Sequence, residues 1–191
     1  MARAMSTSEA STLTDRQDEP GPAEALPDGG TGSLLRAVAL QRPVSELTEL
    51  VTILNGGGQS DYAQEILNTA ATLRTVEDIT AMLPLLGDPQ ATTALNAAVA
   101  NRPPEELAQL VAALDRSEQP AHARHVLSAA AALRTVEDIA TIVPLLADPQ
   151  SVTTLHAAAA QRPVEELAQL VGYLSATPDP DPEPARWKRR R

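Results

Sequence analysis

Leu73-Arg74-Thr75-Val76-Glu77-Asp78-Ile79 stands again, unchanged, as Leu133-Arg134-Thr135-Val136-Glu137-Asp138-Ile139, sixty positions further on. Outward from that stretch the same interval recurs. Gln41-Arg42-Pro43 has counterparts in Asn101-Arg102-Pro103 and Gln161-Arg162-Pro163. A fixed internal period marks an array in which each unit buries its apolar face against its neighbours.

The period divides into half-units of about thirty residues when Arg42, Arg74, Arg102, Arg134 and Arg162 are aligned. After Arg42 the apolar residues are Val44, Leu47, Leu50, Val51 and Leu54. After Arg162 they are Val164, Leu167, Leu170, Val171 and Leu174. Steps of three, three, one and three describe one face of a helix, here called helix B. Pro43, Pro103 and Pro163 suit its first turn, where a missing N–H costs little. In the alternate units Thr75 and Thr135 are the expected caps, with Asp78 and Asp138 three positions later. Pro84 and Pro144 should stop helix B early in those units.

A second, alanine-rich helix A precedes each arginine, over Ser33–Gln41, Tyr62–Leu73, Thr93–Asn101, His122–Leu133 and Thr153–Gln161. Gly87-Asp88-Pro89-Gln90, Ala147-Asp148-Pro149-Gln150 and Asn55-Gly56-Gly57-Gly58 read as turns between hairpins. The expectation is an all-α chain of about ten helices in five hairpins, with two and a half copies of a four-helix unit.

This pattern resembles the α-solenoids of the HEAT, armadillo and tetratricopeptide class over Ser33 to Leu174, although the tetratricopeptide pattern of Trp, Gly, Tyr and Phe is absent. The resemblance implies a surface for peptides or partner domains.

Composition sets the ends apart. Residues 1–32 carry a charge of −4, lack apolar periodicity and read as disordered. Residues 33–174, the expected repeat domain, carry −8. Residues 175–191 begin as an acidic proline spacer and end in Arg186-Trp187-Lys188-Arg189-Arg190-Arg191, for a net +2. The 191-residue chain has no cysteine, which removes disulfides, thiolate metal sites and cysteine nucleophiles together. No stretch reads as a signal h-region or a membrane span, so a cytoplasmic location is expected.

Candidate chemistry is sparse. The five arginines each precede an acid by four positions. They are read as structural, each satisfying carbonyls at the end of helix A or pairing at the start of helix B. His122 and His125 stand three apart, as metal ligands can, but their counterparts sixty positions earlier are Tyr62 and Glu65. Glu105-Glu106 and Glu165-Glu166 are neighbours at helix starts, whereas acid–base catalysis requires carboxylates in distinct environments. The reading is a non-enzymatic interaction scaffold or adaptor for a protein partner, with no metal and no cofactor. The alternative is a regulator whose basic tail, Arg186 to Arg191 with Trp187, contacts nucleic acid or an anionic membrane. The stripe Val164, Leu167, Leu170, Val171 and Leu174 has no following hairpin, and self-association through this end as a homodimer is expected unless the flanking tails cover it.

Overall fold

A computed structural model describes residues 28–176, and these form ten helices and no strand. They are α1 (Asp28–Gln41), α2 (Val44–Gly56), α3 (Ser60–Leu73), α4 (Val76–Met82), α5 (Asp88–Asn101), α6 (Pro104–Arg116), α7 (Pro120–Leu133), α8 (Val136–Ile142), α9 (Asp148–Gln161) and α10 (Val164–Ala176). Each helix packs on the second one after it. The odd-numbered helices form one row and the even-numbered helices another, with α2 on α3 and α6 on α7 joining the rows. This all-α arrangement is compatible with a helical-repeat architecture.

The odd row is built from alanine. Ala63, Ala70, Ala71, Ala94, Ala98 and Ala130 are all buried, and side chains this small let neighbouring helices approach closely. The even row supplies bulk through Leu47, Ile79, Leu107, Leu110, Leu114 and Ile139. One apolar cluster runs from α1 into α8, and a smaller one joins the end of α7 to α8, α9 and α10.

Helix starts follow from local chemistry. Thr75 Oγ1 accepts from the Asp78 backbone N–H at 3.1 Å, and Thr135 does the same for Asp138. After Met82 and Ile142 the chain tightens into 3-10 turns over Leu83–Leu85 and Val143–Leu145. Pro84 and Pro144 lack the N–H and crowd the preceding turn, so α4 and α8 stop at seven residues while α6 has thirteen.

Three expectations are corrected. Asp88-Pro89-Gln90 and Asp148-Pro149-Gln150 are not turns but the first residues of α5 and α9, because proline is tolerated in a first turn where its N–H would be unpaired anyway. The other odd helices likewise start earlier than expected: α3 at Ser60, α7 at Pro120 and α1 at Asp28, inside the segment read as disordered. Pro43 and Pro103 precede the first helical residue and act as caps of α2 and α6. Gly58 takes φ +75° at the α2–α3 link, and Glu118, its counterpart sixty positions on, takes φ 57° without being glycine.

Candidate functional site

The five arginines close the corners between rows, and Arg74, Arg102, Arg134 and Arg162 each reach back to the corner before their own. Arg74 Nε donates to the Ala39 carbonyl at 2.5 Å, and its Nη2 donates to the Arg42 carbonyl. Arg102 repeats this on Ala71, at 2.6 Å, and on Arg74. Arg162 repeats it on Ala131, at 2.6 Å, and on Arg134. Arg134 binds the Arg102 carbonyl only, and its Nε is buried without a partner. The residue three before the acceptor arginine is there Val99, where the other corners have Ala39, Ala71 and Ala131.

The carbonyls need these donors. The last four carbonyls of a helix have no intrahelical N–H, and four residues beyond Ala39 stands Pro43, which has none to give. A guanidinium offers several donors in a planar fork, so one side chain serves two carbonyls and a carboxylate at once. Its remaining edge pairs with the acid four residues on. Arg102 Nη1 lies 2.7 Å from Glu106, Arg162 2.6 Å from Glu166, Arg42 3.2 Å from Glu46, Arg134 3.4 Å from Asp138 and Arg74 3.8 Å from Asp78. Burial runs from Arg102, 3% exposed, to Arg42, 63% exposed. Sequence reasoning expected either carbonyls at the end of helix A or an acid at the start of helix B as the partners. It missed that the carbonyls belong to the preceding unit.

The arginine corners border a groove of about 730 Å³ between the α3–α4 corner and α6. Its floor includes Arg74 and Arg102, already engaged below. Its walls carry Leu73, Glu77, Glu106, Gln109, Ala112 and Arg116. The groove runs from the start of α4, at Thr75, Val76 and Glu77, along α6 from Glu106 to Arg116. A depression of about 370 Å³ beside it shares Glu77 and Arg116. Sixty positions on, a cleft of about 340 Å³ lies between Thr135, Val136, Glu137, Glu166, Gln169 and Tyr173.

The histidines are held by amides. His122 Nδ1 lies 3.0 Å from Gln119 Oε1, and His125 Nε2 lies 2.9 Å from Asn96 Oδ1. Among the described residues no group of three or more His, Asp or Glu is placed to hold a metal. Burial, and then the neighbouring charge of His122, hold His125 below the ordinary histidine value of 6.5. Its neutral form is therefore favoured in the fold. The stability this confers is complete above about pH 6.5 and falls as pH drops through the lowered value. The expected result is that His125→Gln narrows the gap in melting temperature between pH 7.5 and pH 5; an equal gap in both proteins would show that His125 does not contribute.

Two further sets of expected site residues have different fates. The basic segment Arg186, Trp187, Lys188, Arg189, Arg190 and Arg191 lies outside the described residues, as do residues 1–27 and 177–185. The terminal stripe is corrected: Leu170 is 3% exposed, packed in the cluster formed with α8, and Leu174 packs against the same cluster. Leu167 is half-buried, which leaves Val164 and Val171 as the open members. Adjacent glutamates sit at the starts of α6 and α10, where Glu106 and Glu166 serve as arginine partners.

No helix among the described residues is long and apolar enough to cross a membrane. Compared with protein-family models, curated proteins and solved structures, the chain matches none.

Proposed function

We propose that this chain is an α-solenoid that works by binding rather than catalysis, as a scaffold or adaptor that holds an extended segment of a partner protein in the groove between α4 and α6. The observation carrying this reading is the groove itself, open along one side and recurring in smaller form at the sixty-residue register. Its walls suit a polypeptide. Glu77 and Glu106 accept hydrogen bonds, Arg116 donates, Gln109 does both, and Leu73, 48% exposed, offers an apolar contact. The arginines beneath are tied to main-chain carbonyls, so the binding surface is preorganised and little ordering cost is added on association.

A photo-crosslinking residue at Ala112, in cells that make the protein, is expected to yield an adduct with a defined polypeptide. The same residue at Gln161, on the odd row, is expected to yield none. Ala112 is solvent-exposed, so Ala112→Arg should change stability by no more than about 0.5 kcal/mol while abolishing the adduct formed from a second groove position, Gln109. Equal adducts from both rows, or capture that survives Ala112→Arg, would remove the groove as the binding site.

A further inference from the structure

Glu105-Glu106-Leu107-Ala108-Gln109-Leu110-Val111 and Glu165-Glu166-Leu167-Ala168-Gln169-Leu170-Val171 are one heptapeptide in two surroundings. In α6 it is covered: Ala108 and Val111 are 6% and 1% exposed, and α7 packs alongside. The link from α6 to α7 is only three residues, so the two helices run antiparallel. In α10 Leu170 stays buried against α8, but Leu167 is half-buried, Ala168 is exposed and Val171 is 64% exposed. Val164, 76% exposed, and Ser175 extend the same face. Steps of four, three and four place Val164, Ala168, Val171 and Ser175 in one stripe along the helix.

We propose that this stripe receives α10 of a second copy of the chain, the two helices lying antiparallel about a two-fold axis. The stripe is complementary to its own reverse. Turned end for end, Val164 meets Ser175 of the partner subunit, and Ala168 meets Val171 of the partner subunit, a large side chain against a small one at each level. No charged residue interrupts it, and a Cβ added at the adjacent Gly172 would meet nothing within 4 Å. The α6–α7 pair is the internal precedent. There the same heptapeptide lies in a helix packed on an antiparallel one whose buried side chains, Ala123, Val126, Leu127 and Ala130, are small or aliphatic. The two-fold arrangement is isologous and closes at two chains.

Sedimentation of the full chain over a wide concentration range is expected to show mass rising from 20.1 kDa to twice that value and no further. Val171→Glu and, separately, Val164→Glu are expected to hold the chain monomeric with an unchanged circular dichroism melt of the monomer, since both positions are open in the single chain. The protein has no cysteine, so introduced thiols report contacts cleanly. An equimolar mixture of Ala168→Cys and Val171→Cys chains should cross-link as the mixed dimer faster than either chain alone. The proposal is overturned by a strict monomer, by a dimer indifferent to both glutamates, by mass growing beyond two chains, or by cross-linking that favours like pairs.

Discussion

Replacing Arg102 by alanine is expected to destabilise the fold by about 3 kcal/mol, because two buried carbonyls lose their donor at about 1–3 kcal/mol each. Its guanidinium, 3% exposed, serves the Ala71 and Arg74 carbonyls and the Glu106 carboxylate, and truncation strands the two carbonyls, while Glu106, 44% exposed, is left to water. The effect should grade along the series. Arg134→Ala should cost less, because its Nε already lacks a partner and its side chain is 15% exposed. Arg42→Ala should cost under about 0.5 kcal/mol, as an exposed pair does. Denaturant melting of the three variants checks the order, and equal losses would show that the backward contacts to carbonyls do not carry the stability.

Leu110→Ala is expected to cost about 2–5 kcal/mol, as for a fully buried leucine whose surroundings cannot collapse into the cavity. Leu110 is 0% exposed, with α4, α7 and α8 packed around its helix. Leu170 occupies the same place in the identical heptapeptide and is also buried, at 3% exposed, but only α8 lies against α10 in the even row. Leu170→Ala should therefore cost clearly less, because an end helix can shift inward. Melting the two variants at a concentration where the chain is monomeric tests this; matched losses would mean that the end unit is as constrained as the middle.

These effects trace what the residues alone made legible. The repeat of Leu73–Ile79 was sufficient for the all-α class, the helix count and the Thr75 and Thr135 caps, because capping and periodicity are local. Pro84 and Pro144 likewise announced the short helices, since a missing N–H acts on its own turn. Asp88-Pro89 misled because the dipeptide that breaks a helix interior is acceptable in a first turn. The groove was not legible. It is lined jointly by the α3–α4 corner and α6, and its size depends on how these elements separate in space. Nor was the covering of Leu170 readable from its stripe: which side of an apolar helix meets the previous unit and which stays open is settled only by packing. The arginine spacing of alternately 32 and 28 residues was visible, but not that each guanidinium points toward the earlier corner.

That backward direction bears on how the chain is made. Every carbonyl in the ladder lies 28–35 residues upstream of the guanidinium that satisfies it. During N-to-C synthesis the acceptors of each rung have therefore already left the ribosome when the donor appears. Arg74 can fasten the first corner before Arg102 emerges, and Arg102 the second before Arg134. No rung waits for a residue at the far end of the polypeptide. Growth of the nascent chain and closure of the ladder proceed in the same direction, each newly emerged unit locking the one ahead of it.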